Sequence, residues 1–160
     1  MSSTMLKSTP TAVEATSAAQ RSATLAAWGF LVLRLAVGFV FLMHGWQKFS
    51  GFGFEGVAGF FGSIGIPLPG IAAVVVTLLE LVGGLALILG VGTRLVGALL
   101  AVNMLVALFV VHLANGFFVD AGGYELVLTL GAAALFFALS GPGRLSLDAR
   151  LLARRAGWLA

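Results

Sequence analysis

Four long apolar stretches dominate this sequence and restrict the folds that it can adopt. They cover approximately residues 25–46, 71–91, 95–114 and 124–140. A helix that crosses a membrane needs about 20 apolar residues, with a range of ~17–25, so the first three stretches fit well and the fourth is short. Four such stretches in 160 residues leave too little polar surface to cover a soluble core. We therefore predict an all-α integral membrane protein built as a four-helix bundle.

The composition agrees with this fold class and excludes several kinds of chemistry. Hydrophobic residues make up 60% of the chain and charged residues only 9%, whereas soluble domains have about 25% charged residues. Cysteine is absent, which excludes disulfides, thiolate metal sites and thiol redox chemistry in this chain. Lysine and arginine are not clustered as in a nucleic-acid-binding protein, so nucleic acid is not an expected partner.

The distribution of basic residues predicts the orientation in the membrane. Four crossings place the N-terminal tail, the turn at 92–94 and the C-terminal tail on one side. That side carries Lys7, Arg21, Arg94, Arg144, Arg150, Arg154 and Arg155. Lys48 is the only basic residue on the other side. Because basic residues are retained in the cytoplasm, both termini are predicted to be cytoplasmic.

The apolar stretches also suggest three segments of the chain. Residues 1–24 form a polar tail that we expect to be disordered, and it lacks the apolar core of a signal peptide. Residues 25–141 form the four-span membrane domain, and 142–160 a basic cytoplasmic segment. Within that segment, 146–155 is predicted to form an interfacial helix with Ser146 as N-cap and Asp148 in its first turn.

The connection 49–70 contains phenylalanine and valine residues at helical spacing. This pattern predicts a short amphipathic helix that lies on, or dips into, the outer membrane interface. An ordinary loop with buried aromatic side chains is the alternative.

Three polar residues lie deep inside the apolar stretches. Arg34, Glu80 and Asn103 occur at similar distances from the predicted cytoplasmic ends of their spans. A charged side chain at bilayer depth costs about 2.5–3.5 kcal/mol, so such residues are usually paired. We predict contact between Arg34 and Glu80, with Asn103 bonded to one of them. The pair has either a structural role, fixing the helix register, or a direct functional role.

Two titratable side chains follow Arg34 on the same helix face. His44 and Lys48 would extend the polar face towards the outer surface, where Lys48 could alternatively be an interfacial lysine. With His112, Asp120 and Glu125, they could form an outward-facing titratable cluster. The alternative for His112 is an ordinary interfacial histidine.

A series of short motifs resembles the DoxX family of small bacterial four-helix membrane proteins. The resemblance covers about residues 31–148. It depends on Arg34 followed by HGWQKF (44–49), GIP (65–67), Glu80 with Gly83-Gly84, GVGTR (90–94), and GPGR (141–144) with Leu147-Asp148.

The resemblance implies a multi-pass protein of the bacterial inner membrane. It also implies redox work near the quinone pool, because the family takes its name from a subunit of an archaeal thiosulfate:quinone oxidoreductase. A mycobacterial member is associated with a membrane-bound oxidoreductase complex that handles oxidative stress.

The resulting hypothesis is a quinone-associated subunit of a membrane oxidoreductase system. The catalytic candidates are His44, Lys48 and Glu80. The polar cavity for a quinone or another polar ligand would be lined by Arg34, His44, Lys48, Glu80, Asn103 and His112. No metal is expected, and axial haem ligation by His44 and His112 has little support.

Two other functions remain open on the sequence. The chain could be a non-catalytic scaffold that anchors oxidoreductase partners, or a small solute or ion carrier, because intramembrane ionisable residues often line pathways. Partners would include the lipid bilayer and oxidoreductase proteins, and the chain could form a homo-oligomer.

Overall fold

The computed structural model describes residues 12–151 and is helical throughout its regular elements. The longer α-helices are α1 (Ala12–Trp46), α2 (Gly53–Ser63), α3 (Pro69–Leu89), α4 (Thr93–Ala107) and α5 (Glu125–Ser140). Two π-helical segments, π1 (Gln47–Phe52) and π2 (Leu108–His112), follow α1 and α4, and short 3₁₀ turns cover Leu113–Asn115 and Val119–Ala121. The predicted all-α fold is confirmed.

The helices have the length and the exposed apolar surface of a membrane bundle. Three helical stretches, Thr16–Ser63, Pro69–Leu89 and Thr93–Asn115, are long and apolar enough to cross a membrane, while Glu125–Ser140 is shorter. Many large apolar side chains on these helices are exposed, among them Phe39, Val82 and Phe109. A soluble protein does not expose so much contiguous apolar surface, so lipid covers these faces.

The first helical stretch is interrupted near its C-terminal end. At Gly53 the backbone adopts a φ of 66°, a conformation that glycine reaches without strain, and α2 begins there after π1. The amphipathic helix predicted within 49–70 is therefore present. Its buried residues Val57 and Phe61 pack with Ala73 near the start of α3, which places α2 alongside the first turns of α3.

Glycine residues bring α1 and α3 into close contact. A Cβ atom on Gly38 would lie 2.8 Å from the carbonyl oxygen of Gly84. A Cβ on Gly45 would clash with the backbone nitrogen of Leu81, and one on Gly84 with that of Leu42. Small residues at such positions let helix backbones approach closely in membranes. These contacts fix the antiparallel register of α1 and α3.

The core of the bundle lies between α1, α3, α4 and α5. Its buried residues are Val37, Phe41, Leu87, Leu100, Met104, Val127, Leu130, Ala134 and Phe137. The close approach of α4 and α5 occurs at Gly97, where a Cβ would lie 2.8 Å from the carbonyl oxygen of Ala134. Small residues thus set the distance between neighbouring helices on both sides of the core.

The two ends of the chain differ in part from the sequence prediction. Helix α1 begins at Ala12, so residues 12–24 are helical where the sequence predicts a disordered tail, and residues 1–11 lie outside the described part. At the other end, the hydroxyl of Ser146 accepts a hydrogen bond from the backbone N–H of Ala149 at 3.1 Å. This confirms Ser146 as an N-cap. The helix that it begins is described to residue 151, and residues 152–160 are not described.

Candidate functional site

A buried carboxylate at the middle of α3 is the centre of the candidate site. Glu80 is the twelfth of the 21 residues of α3, which places it about 15 Å from either end of that helix. Its side chain is 4% exposed. One carboxylate oxygen, Oε2, forms an ion pair with the Lys48 ammonium group, and the other, Oε1, accepts a hydrogen bond from Nδ2 of Asn103 at 3.1 Å.

Lys48 reaches Glu80 from π1, where the first helical stretch changes from α- to π-helical geometry. Single π-helical turns are uncommon and occur frequently at functional sites. The Lys48 side chain is 21% exposed, and its ammonium group lies at the carboxylate in the middle of α3. The alternative that Lys48 extends to the membrane surface is therefore wrong. The ion pair neutralises two charges that would each be costly alone in an apolar medium.

Arg34 does not contact Glu80, and the predicted Arg34–Glu80 pair is wrong. The Arg34 guanidinium instead donates to the carbonyl oxygens of Pro142 and Leu145, at 2.6 Å each. A Cβ on Gly90 would lie 2.6 Å from Nη1 of Arg34, so this guanidinium lies level with the end of α3. Glu80 precedes Gly90 by ten residues, which corresponds to about 15 Å along the helix.

The register of the helices explains why the predicted pair is wrong. The prediction aligns the first two spans by the ends of their apolar stretches, but α1 continues well beyond the end of α3. In the structure, the glycine contacts set the register, and Gly45 lies against Leu81, the neighbour of Glu80. Lys48 follows Gly45 by about one turn, and its ammonium group therefore lies level with Glu80 and forms the ion pair. The prediction that Asn103 bonds to one member of the pair is confirmed for Glu80.

Arg34 belongs to a second group of contacts at the end of the bundle formed by residues 90–94 and 141–148, which we call the basic end. Here the carboxylate of Asp148 accepts hydrogen bonds from the backbone N–H groups of Gly92 and Thr93, at 3.0 and 3.1 Å. Its own N–H donates to the Gly90 carbonyl oxygen at 2.9 Å. A carboxylate at a helix N-terminus is favourable, so Asp148 caps α4 across the bundle. The sequence predicts a role for Asp148 only in its own helix.

Arg94 completes the basic end. Its guanidinium donates to the carbonyl oxygens of Leu139 and Ala138, at 2.5 and 3.2 Å. These carbonyls belong to the last turn of α5, where the helix itself supplies no donors. The motifs GVGTR and GPGR with Leu147-Asp148 therefore have a common structural role, because they connect the loops at the basic end to one another and to Arg34.

His44 precedes Lys48 by one helical turn. Residues four apart lie on the same helix face, so His44 borders the site on the side towards the basic end, where its side chain is half-buried. His44, Lys48, Glu80 and Asn103 are the predicted cavity residues whose elements meet at the middle of α3.

His112 lies apart from this group. Its Nδ1 atom is 2.7 Å from the carbonyl oxygen of Gly122, and it follows Asn103 by nine residues, about 13 Å along the helix. Glu125 accepts a hydrogen bond from the backbone N–H of Val119 at 2.7 Å, and Asp120 is exposed. Among residues 12–151, no hydrogen bond or ion pair joins these three residues to His44 or Lys48. His112 and Glu125 hold the backbone of the loop between α4 and α5.

Thr77 is a buried residue of this region that is absent from the sequence predictions. It lies one turn from Glu80 on α3 and is 0% exposed. Its hydroxyl has no hydrogen-bond partner among residues 12–151. Its position in the sequence could have identified it. Thr77 is a polar residue that precedes the intramembrane acid Glu80 by three positions, and the two lie on the same helix face.

Metal binding is not expected from the sequence. Among residues 12–151, no group of three or more histidine, aspartate or glutamate side chains is placed to hold a metal ion. The polar contacts around Glu80 are the ion pair with Lys48 and the hydrogen bond from Asn103.

Comparison with known proteins gives consistent matches. The family model described as DoxX matches residues 29–113. "Putative oxidoreductase CatD" of Bacillus subtilis is 40% identical over 121 residues, covering 75% of this chain and 84% of that protein. The inner membrane proteins YphA and YqjF of Escherichia coli are 30% and 32% identical, over 75% and 79% of this chain and 88% and 94% of their own lengths. No solved structure matches the chain.

Proposed function

Because the chain belongs to the DoxX family, we propose that this multi-pass inner membrane protein is a quinone-associated subunit of a membrane oxidoreductase system. The observation that carries the proposal is the Glu80 carboxylate, held at the middle of α3 by Lys48 and Asn103. Intramembrane ionisable residues often mark proton or substrate pathways. The name of the Bacillus subtilis relative supports an oxidoreductase system.

The donor and acceptor groups of the site fit a quinone. Ring carbonyl oxygens accept hydrogen bonds, and the Lys48 ammonium can donate them. When bound, a quinone supplies two-electron, two-proton redox chemistry in an apolar medium. Lys48 and Asn103 would orient the ring and hold the charge of Glu80, while the Glu80 carboxylate would take up or release a proton. Electrons would pass to or from a partner protein that carries a redox cofactor.

The test is the quinone content and affinity of the purified protein. Wild type extracted with its native lipid should contain bound quinone. Glu80→Gln keeps the side-chain shape but removes the charge, and it should weaken binding of a short-tailed quinone by about tenfold or more, the loss of one charge-assisted interaction. Glu125→Gln, in the loop between α4 and α5, is the matched control and should bind like wild type. Wild type without bound quinone and without measurable affinity would contradict the proposal.

We also propose that both termini lie in the cytoplasm, with the basic end facing inward. The excess of lysine and arginine at the end that carries both tails supports this orientation. Because the chain has no cysteine, a single cysteine can be introduced at Ser3 in one variant and at Ser63 in another. A membrane-impermeant thiol reagent applied to intact cells should label Ser63→Cys and not Ser3→Cys, and the reverse pattern would overturn the orientation.

A scaffold function is the second candidate, and a specific observation favours it. Helix α1 extends past the end of α3 by more than 20 residues, and Val13, Leu25 and Trp28 on this extension are exposed. An exposed helix of this kind could anchor a partner protein. Crosslinking from residues 12–28 should then recover a stoichiometric partner, and Glu80 variants should change protein abundance without changing a specific activity.

A further inference from the structure

The buried hydroxyl of Thr77 has an unusual environment for a helical threonine. In helices, threonine hydroxyls commonly bond to the carbonyl oxygen three or four residues earlier. Thr77 is fully buried, but its Oγ1 has no hydrogen-bond partner among residues 12–151. A buried polar group without a partner is unfavourable. A site that retains such a group has a donor available for a ligand.

The two helices that supply the partners of Glu80 both change geometry close to those partners in the chain. Moving from Glu80 to Thr77 along α3 is a step of one turn away from the basic end. Asn103, which bonds to Glu80, lies on the antiparallel α4. One turn further from the basic end, α4 ends at Ala107, and π2 begins at the next residue. On the other side of α3, Lys48 already lies in π1. Both α1 and α4 thus give way to π-helical turns at or shortly after the residues that bond to Glu80, and π-helical turns are frequent at functional sites.

We propose that Thr77 is a further ligand-binding residue of the Glu80 site and that its hydroxyl hydrogen-bonds an oxygen atom of the quinone ring. This inference rests on the proposed quinone-associated function. The ligand oxygen would satisfy the one polar side-chain atom of Thr77, which the described residues leave without a partner. The ring would then lie on the side of Glu80 away from the basic end.

The hydroxyl has a property that the neighbouring charged groups lack. An ammonium group only donates hydrogen bonds and an ionised carboxylate only accepts them, whereas a hydroxyl does both. Thr77 can therefore donate to the carbonyl oxygen of an oxidised ring and accept from the hydroxyl of a reduced ring. We expect Thr77 to contribute to the affinity for both redox forms, while Lys48 favours the oxidised form and Glu80 the reduced form.

The experiment compares binding of ubiquinone-1 and menadione to wild type, Thr77→Val and Thr77→Ser in detergent, by quenching of tryptophan fluorescence. Valine has nearly the shape of threonine but no hydroxyl, so Thr77→Val should weaken binding about five- to tenfold, the effect of one neutral hydrogen bond. Thr77→Ser restores the hydroxyl and should bind within about twofold of wild type. The melting temperature of Thr77→Val should not fall, because the substitution removes an unsatisfied buried group.

Thr93→Val is the matched control. Thr93 is 1% exposed and its hydroxyl also has no partner among the described residues, but it lies at the basic end. Thr93→Val should leave quinone affinity unchanged. If Thr77→Val binds like wild type while Glu80→Gln loses affinity, the role of Thr77 is overturned and the proposed function stands. If wild type binds neither quinone, the proposed function fails and this inference fails with it.

Discussion

Replacing Lys48 with methionine should lower the free energy of unfolding by about 3 kcal/mol. The substitution keeps an apolar chain of similar length but leaves the Glu80 carboxylate buried, with only Asn103 as a partner. Removing one partner of a buried ion pair typically costs about 3–5 kcal/mol, because an uncompensated charge remains. We expect the lower end of that range, since 21% of the Lys48 side chain is exposed and water can partly solvate the site. Unfolding in mixed micelles with increasing SDS, followed by tryptophan fluorescence, measures the change.

The double variant Lys48→Met/Glu80→Leu separates stability from function. Removing both charges often restores or increases stability, since an apolar pair needs no desolvation. We expect the double variant to recover most of the stability lost by Lys48→Met. It should nevertheless lose quinone affinity, because the donor Lys48 and the proton-exchanging carboxylate of Glu80 in the proposed site are both absent. Recovery of stability together with wild-type quinone affinity would show that the ion pair has only a structural role.

Replacing Arg34 with methionine should destabilise the protein by a comparable amount, through a different mechanism. The Arg34 guanidinium is 2% exposed and binds the carbonyl oxygens of Pro142 and Leu145 at 2.6 Å. Methionine fills part of the space but leaves two partly buried acceptors without donors, at about 1–2 kcal/mol each. We expect a loss of about 3 kcal/mol by the same SDS titration. Arg34→Lys should recover part of this loss, because an ammonium group lacks the planar fork that reaches both carbonyls.

Arg94→Met is the matched control for Arg34. Arg94 also binds backbone carbonyl oxygens, at the end of α5, but its contacts are exposed, so water can replace the guanidinium there. Its loss should cost less than about 1.5 kcal/mol, the net value of an ordinary hydrogen bond. The folded fraction of Arg34→Met should bind quinone with wild-type affinity, since Arg34 lies about 15 Å from Glu80 along the bundle. Equal destabilisation by both substitutions would contradict the role of Arg34 in holding the loop 141–148.

Much of the candidate site could be predicted from residue types and their depth. Glu80 and Asn103 are polar residues near the middle of apolar stretches, and the cost of isolated charges in hydrocarbon required a cation for Glu80. That reasoning identified the need for a partner and the role of Asn103 correctly. It chose the wrong cation, because Arg34 and Lys48 are 14 residues apart on one continuous helical stretch and the sequence does not show which of them lies level with Glu80.

The sequence by itself determined the class of the fold and the positions of its apolar helices, because the length and apolar character of each stretch are local properties. Only the tertiary structure decided the register between α1 and α3, since it depends on where Gly38, Gly45 and Gly84 let two backbones meet. That register pairs Lys48 with Glu80 and brings Arg34 to the loop 141–148. A shift of a few residues between two helices changes every polar partner, and no single helix encodes it.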